Sequence, residues 1–329
     1  MRAVMRRMCS RGSRISALVV LASLPLIIGC SDGDGDGGGI TYTGLTTPVV
    51  IDGSNAQEIA AGAYTGGSVG GPLSVVGVAQ AGVGVSTRQS LPLALSRSVK
   101  RAAGELRAGS SPEQVAAGAV VTETDTIDGD CGGHLNTRVN MNDATGEFTG
   151  SLNFDAFCVD GVTTRGSASA SGQFDFATDD IEFLMTTSSL RVEFEGESFT
   201  MAGAVNAAYS GSSSTITMNT LMRDDGTGKV FRAENYEVTV TEGSSSVEET
   251  LSGRFYHPDF GYVDLSTPTP FVTNVSDTYP SSGVLIASGD GQTKARLTAL
   301  SSTTLQIEAD TDGNGDYDYD SGTLNWADL

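Results

Sequence analysis

The sequence predicts a mostly β protein: an antiparallel meander curled into an open barrel or a two-layer sheet, with a small helical N-terminal segment. From residue 118 to residue 329, apolar residues repeatedly occupy alternate positions, which is the period of a strand with one buried face. Turn-forming pairs such as Asp160-Gly161 and Glu242-Gly243 separate these runs. On the order of twelve strands with such short connections favour a meander, and a sheet of that size must curl.

The alternating runs share one property. Their apolar members have a single parity, and Ser, Thr, Asp or Glu occupy the other positions. This pattern favours one buried face, and the aromatic girdles of a transmembrane barrel are not visible in it. The clearest runs are Phe148–Cys158, Ala168–Phe176, Ile181–Met185, Phe199–Tyr209, Ile216–Met218 and Tyr236–Val240.

Residues 1–29 have the features of a secretory signal peptide. Five arginines and no acid precede a short apolar run. The run is shorter than the roughly 20 residues that a membrane-spanning helix needs. It ends in Leu26-Ile27-Ile28-Gly29-Cys30, which resembles the lipobox of bacterial lipoproteins: an aliphatic residue, a small residue before the cut, then cysteine. An ordinary signal peptide with a chance cysteine is the alternative.

The lipobox resemblance implies a lipid anchor. In that family the signal is removed before the cysteine, and both the thiol and the new amine are acylated, so Cys30 is the expected lipidation site. Several acyl chains anchor a protein firmly, whereas one chain is marginal. In enteric members of the family, Asp after the cysteine favours the inner membrane. Ser31 at that place therefore implies the outer membrane, with the periplasmic or surface face left open.

Cleavage before Cys30 would leave a strongly acidic chain. The leader holds five of the 19 basic residues and none of the 40 acidic ones, so 14 basic residues remain and the formal charge becomes −26. Such a charge keeps a protein soluble and disfavours nucleic acid and anionic lipid. Residues 30–50 begin with a Gly/Asp-rich stretch from Ser31 to Gly39, which predicts a flexible tether.

Residues 51–117 are predicted to hold one or two helices. Ser54 can cap a short helix over residues 55–61. A second helix, from Leu91 to Leu106, has apolar residues at spacings of three and four. Because it is basic, this helix either lies on anionic lipid headgroups or docks its narrow apolar stripe on the acidic β domain, and the narrow stripe favours docking.

Two cysteines, Cys131 and Cys158, remain in the mature chain besides the anchor. In an oxidising compartment such a pair is typical of a disulfide. A metal site is less favoured, because no CxxC spacing or nearby ligand set accompanies them. The bond would contribute about 3.6 kcal/mol on the chain-entropy model. It would tie the strand Phe148–Phe157 to the segment that enters the sheet.

The segment 310–321 is crowded with oxygen side chains. Positions 1, 3 and 5 and a glycine at position 6 match the start of an EF-hand loop, and the segment resembles the calcium loops of EF-hand and dockerin-like repeats. That resemblance implies a structural calcium ion. Position 12 is Ser321 instead of Glu and the flanks look like strands, so a solvated acidic hairpin is the alternative. The candidate ligands are Asp310, Asp312, Asn314, Asp316, Asp318 and Asp320.

No catalytic constellation is visible, so the sequence favours a protein that is not an enzyme. Gly66-Gly67-Ser68-Val69-Gly70 matches the G-x-S-x-G of hydrolase elbows, but no buried strand precedes it, which favours a chance match. The two histidines, His134 and His257, fall in different hairpins without metal-binding spacing. We expect a loop histidine and a partly exposed histidine, respectively.

These observations favour a cell-envelope lipoprotein that binds or scaffolds an unknown protein or small-molecule partner, with the membrane as a second partner and no nucleic acid. A lipid-anchored hydrolase using Ser68 is one alternative. A carrier that holds an apolar ligand inside the curled sheet is the other, since a ligand cavity needs an apolar lining.

Overall fold

A single antiparallel sheet makes up most of the structure. The computed structural model describes residues 39–66 and 120–329, apart from residues 143, 160, 195 and 196. The elements in chain order are α1 (Ala56–Thr65), β1 (Val120–Asp128), β2 (Gly132–Asn142), β3 (Glu147–Val159), β4 (Val162–Asp175), β5 (Asp180–Phe194), β6 (Glu197–Ser210), β7 (Ser213–Asp224), β8 (Val230–Glu242), β9 (Ser246–His257), β10 (Gly261–Asn274), β11 (Ser282–Ser288), β12 (Lys294–Ser301), β13 (Thr304–Asp310) and β14 (Tyr319–Asn325), with 3-10 turns at Asp290–Gln292 and Trp326–Asp328.

Each strand pairs with its neighbours along the chain, which confirms the predicted meander. The order runs from β1 to β14 without a crossover, and among the described strands none pairs β1 with β14, so the sheet is open. Fourteen strands exceed the number expected from the sequence.

One face of the sheet is buried, as the alternating pattern predicts. In β7, Ile216 and Met218 are buried while Asn219 is exposed. The buried side chains of successive strands join one continuous hydrophobic cluster. Burying one large aliphatic or aromatic side chain contributes about 1.5–3 kcal/mol, so this inner face is the main source of stability.

A β-bulge in β3 changes the parity that the sequence predicts. Ala156 has a positive φ of 49°, and the register with β4 shifts between Phe154 and Phe157. A bulge inserts one extra residue into a strand. Phe157 therefore enters the core and Ala156 is only half-buried. The expectation that one parity holds from Phe148 to Cys158 is wrong beyond the bulge.

The segment before α1 docks on β10. Val49 donates its N–H to the carbonyl of Tyr262 at 2.9 Å, and Tyr262 donates to the carbonyl of Thr47 at 3.0 Å. The helix that follows contacts strands β9 to β13 and buries Ile59 and Ala63. The last residues of the predicted tether thus belong to the folded body.

The N-cap residue of α1 is Asn55, and the expectation that Ser54 caps the helix is wrong, since Asp52 holds Ser54 in the turn before it. The backbone N–H groups of Ser54 and Asn55 donate to Oδ1 of Asp52 at 2.7 and 3.2 Å. The Ser54 hydroxyl donates to the same oxygen at 2.6 Å, so it is not available to the helix. The helix ends at Gly66 in the left-handed conformation, φ 71°. The predicted helix from Leu91 to Leu106 lies outside the described residues.

Candidate functional sites

The disulfide between Cys131 and Cys158 joins the start of β2 to the end of β3. The two Cα atoms are 5.1 Å apart, an ordinary separation for a disulfide. Cys131 also donates its N–H to the carbonyl of Cys158 at 3.3 Å. A side chain at Gly133, φ 67°, would clash with the carbonyl oxygen of Ala156, so the close approach of the two strands requires glycine. The bridge predicted from the cysteine count is present.

Asp310 organises the acidic loop between β13 and β14. Its side chain is only 1% exposed. Its carboxylate accepts the backbone N–H groups of Gly313, Asn314 and Gly315 at 2.8, 3.1 and 2.9 Å. Oδ1 of Asp312 accepts the N–H of Asn314 at 3.1 Å as well. The loop is therefore curled around one buried carboxylate.

The other carboxylates of the loop have separate partners. Asp318 accepts the N–H and the hydroxyl of Thr311 at 2.9 and 2.6 Å, and Asp320 accepts from Gln306 at 2.8 Å. These hydrogen bonds lower the pKa of both carboxyls. Within the residues that the structure describes, no group of three or more His, Cys, Asp or Glu side chains has a metal-holding arrangement. The candidate ligands share one loop but do not gather around a common centre.

His257 is fully buried, and the expectation of a partly exposed histidine is wrong because aromatic rings cover it. Phe260 stacks on the imidazole with ring centroids 4.5 Å apart, and Phe231 meets its edge at 5.3 Å. Nδ1 accepts the N–H of Asp259 at 3.2 Å. In the neutral ring the proton is then on Nε2, which lies 3.1 Å from Oε1 of Glu58. Burial lowers the pKa of His257, while Glu58 acts in the opposite direction.

Lys229 completes this cluster. Its Nζ lies 2.6 Å from Asp259 and 3.8 Å from Glu58. The hydrogen bond between Lys229 and Asp259 raises the pKa of Lys229 and lowers that of Asp259. Glu58 belongs to α1, whereas the other three residues come from strand ends of the sheet. Because both nitrogens of His257 face protein groups, the cluster is suited to holding α1 rather than to proton transfer with a substrate.

Glu249 is a second buried titratable group. It occupies the inner face of β9, opposite Val240 and Phe271. Burial raises the pKa of Glu249 to about 8, so its carboxyl is mostly protonated at neutral pH. Burial raises the pKa of Tyr64 too, and its hydroxyl has no hydrogen-bond partner in the described part of the chain. The neighbouring Tyr236 donates to the carbonyl of Ala63 at 2.9 Å.

The remaining candidate residues are dispersed. His134 is exposed, with Nδ1 2.8 Å from Asp128 of β1, but it lies within β2, so the expectation of a loop histidine is wrong. The two histidines lie in different hairpins, as predicted. Cys30 and Ser68 fall outside the described residues.

No protein-family model, curated protein or solved structure matches this chain. In residues 39–66 and 120–329, no helix is both long and apolar enough to cross a membrane.

Sequence reasoning missed the polar clusters beside α1. Glu58 and His257 are about 200 positions apart, and no local pattern reports a contact at that separation. Glu249 did carry a signal, because it shares the parity of its buried neighbours Val247 and Leu251. A carboxylate on the apolar parity of a strand is the pattern that would have identified it.

Proposed function

We propose that this chain is a lipid-anchored, non-enzymatic protein of the bacterial cell envelope with a binding or scaffolding role. The observation that carries the proposal is the Cys131–Cys158 disulfide, because structural disulfides persist in oxidising compartments outside the cytoplasm. Export is also what the leader predicts. Cys30 is then the lipidated residue, and Ser31 favours the outer membrane.

A binding or scaffolding role is supported by the outer face of the sheet. There, Thr122 donates to Asn140 and Ser169 bonds to Thr186, each at 2.6 Å, so exposed polar side chains link neighbouring strands. The sheet presents this polar face over many strands. A structural role for His257, whose two nitrogens face Glu58 and Asp259, also supports a role other than catalysis.

Metabolic labelling tests the anchor. Cells given a labelled fatty acid should incorporate label into the wild-type chain, and Cys30→Ala should lose both the label and membrane association. Cys9→Ala is the matched control, because it removes a leader cysteine and should retain both. An unlabelled wild type would contradict the lipoprotein proposal.

The two alternatives give different results on the purified chain. A fluorophosphonate probe that labels the wild type and Ser54→Ala but not Ser68→Ala would favour the hydrolase. An apolar molecule that co-purifies in fixed ratio and is recovered by solvent extraction would favour the carrier. We expect neither result.

We also propose a structural calcium ion in the loop 310–320. Support comes from the fixed carboxylate of Asp310, which accepts backbone N–H groups of loop positions 4 to 6, and from an oxygen donor set that suits a hard cation. Asp312, Asn314 and Asp316 would have to turn toward the ion. Ser321 in place of Glu favours weak affinity, nearer the millimolar range.

Thermal unfolding tests the calcium proposal. Millimolar calcium should raise the melting temperature of the wild type relative to chelator, because the folded loop binds the ion and the unfolded chain does not. The shift should disappear in Asp312→Ala and persist in Asp277→Ala, whose partly exposed carboxylate lies between β10 and β11. If calcium shifts neither the wild type nor Asp312→Ala, or both equally, the loop is a solvated acidic turn.

A further inference from the structure

A groove of about 670 Å³ opens where three strand ends lie side by side. Its walls come from the β2–β3 turn (residues 144–145), the β4–β5 hairpin (residues 173–177 and 180–182) and the end of β6 (residues 208–210). Hydrogen bonds fix these parts together: Phe174 donates its N–H to the carbonyl of Gly146 at 2.9 Å, and Gln173 donates to the carbonyl of Thr145 at 3.1 Å.

Aromatic rings form the apolar wall of the groove. Phe176 occupies the tight turn between β4 and β5, where polar residues are usual, and it remains 37% exposed. Its ring centroid lies 5.4 Å from that of buried Phe174. Tyr209 adds a third ring, opposite Ile181 in the register of β5 and β6. An accessible ring in the wall of a concave site is suited to contact with an apolar ligand.

Carboxylates also line the groove and form its acidic rim. Asp175 and Asp180 are direct partners in the register of β4 and β5, and Glu182 follows Asp180 on the same face. Like charges that face each other across two strands destabilise the pair. Every charged residue that lines the groove is acidic, so none of the lining residues offsets this repulsion.

The three carboxylates differ in whether they already accept hydrogen bonds from other groups of the protein. Asp175 accepts the N–H of Ala177 at 2.8 Å, and Asp180 accepts the Ser210 hydroxyl at 3.1 Å. The side chain of Glu182 is exposed, and its carboxylate has no hydrogen bond or ion pair with any residue in the described ranges. The rim therefore holds two positioned carboxylates and one that is available to a ligand.

We propose that this groove binds an organic cation with an apolar body. The carboxylate rim supplies the countercharge, and the aromatic wall contacts the apolar body and attracts the cation through the faces of its rings. The volume is within the range of pockets for small molecules. The inference rests on the proposed binding role and does not depend on the lipid anchor.

Isothermal titration calorimetry of the full-length chain tests the proposed cation site with two probes of similar size and opposite charge. Benzyltrimethylammonium should bind, whereas phenylmethanesulfonate, which carries the same ring and a negative charge, should not. Added salt should weaken binding of the ammonium probe, because the rim is exposed.

Three variants locate the site. Glu182→Gln should weaken ammonium binding about fivefold, as expected for one unit charge at contact distance in water. Phe176→Leu should weaken it by a similar factor through loss of the ring face. Glu248→Gln, which removes an exposed carboxylate from β9, should leave the affinity unchanged. Circular dichroism verifies the fold of each variant.

Equal binding of the sulfonate, or an equal loss in Glu248→Gln and Glu182→Gln, would overturn the proposal. Absence of ammonium binding would overturn it too. None of these results alters the fatty-acid labelling of Cys30, so failure of the groove and failure of the lipoprotein proposal are distinguishable.

Discussion

The two halves of the meander bury different kinds of residue on the same alternating pattern. In β1 to β7, the buried polar side chains of the described residues are Thr and Ser only. In β8 to β14, the buried polar side chains include the carboxyl of Glu249, the imidazole of His257 and the carboxylate of Asp310. The first half also contains a covalent bond, Cys131–Cys158, and the second half contacts α1.

The difference shows that the alternation of apolar residues does not by itself determine how the stability of a strand depends on pH or on redox conditions. Where a strand face buries only apolar groups and hydroxyls, the free energy of unfolding should change little with pH. Where it buries titratable groups, the free energy of unfolding depends on pH, because their protonation differs between the folded and unfolded chains. We therefore expect redox sensitivity in the first half and pH sensitivity in the second.

The largest effect should come from the disulfide. Replacing Cys131 and Cys158 by Ala should lower the free energy of unfolding by about 3.6 kcal/mol, because the unfolded chain is no longer constrained. Urea unfolding of the double variant measures it, and reductant should bring the wild type to the same value. If reductant leaves the wild type unchanged, the first half does not depend on its covalent bond.

Asp310→Ala should have the second-largest effect. It should lower the free energy of unfolding by about 3 kcal/mol, since it leaves backbone N–H groups of the loop without an acceptor. Asp312→Ala, which removes an exposed carboxylate of the same loop, should cost less than about 1 kcal/mol. Both are measured by urea unfolding in chelator, which removes any contribution of calcium. Equal losses in the two variants would mean that the burial of Asp310 does not increase its contribution to stability.

Glu249→Gln should stabilise the protein at pH 7 by about 3 kcal/mol. The folded pKa of Glu249, about 8, is above its ordinary value of 4.5, so the unfolded chain ionises first as pH rises. Wild-type stability should therefore fall between about pH 4.5 and pH 8, and the advantage of the variant should vanish below that window. Glu248→Gln, one residue away and exposed, is the control. A constant advantage at every pH would show that packing, and not ionisation, is responsible.

The smallest effect should be that of His257. Burial lowers its folded pKa below 6.5, so the unfolded chain binds the proton first as pH falls. Wild-type stability should decrease as pH falls through 6.5 toward the folded pKa, and His257→Gln should show a shallower decrease. His134→Gln, which removes the exposed histidine, is the matched control. If both variants follow the wild-type curve, the Glu58–His257 contact does not respond to pH.

Much of the fold could be predicted from the sequence, because a strand with one buried face has apolar residues at alternate positions. The alternate apolar residues from Phe199 to Tyr209 are buried on β6, and Ala168, Ala170 and Phe174 are buried on β4. The expectation that Phe176 shares this face is wrong, because it lies in the turn after β4 and is 37% exposed. The disulfide followed from the count of cysteines and the expected compartment. The acidic loop lies between two strands, as its flanks suggested.

What could not be predicted depends on contacts between distant residues or on single backbone angles. The bulge at Ala156 results from one positive φ in a residue that seldom adopts it. The burial of His257 depends on Phe231, which is 26 positions away, and on a helix from the other end of the chain. The residue at which α1 begins could not be predicted, because Asp52, Ser54 and Asn55 all have side chains that can cap a helix.

The docking of the N-terminal segment on β10 constrains the order of assembly. Each hairpin of the meander joins neighbours in sequence, so the strands can form one after another with small loop-closure cost. The contact between Val49 and Tyr262 closes a loop of more than 200 residues and needs a strand near the other end of the chain. In a chain that emerges from its N-terminus, the segment before α1 cannot dock until β10 has formed. Docking of α1 would thus mark the completion of folding.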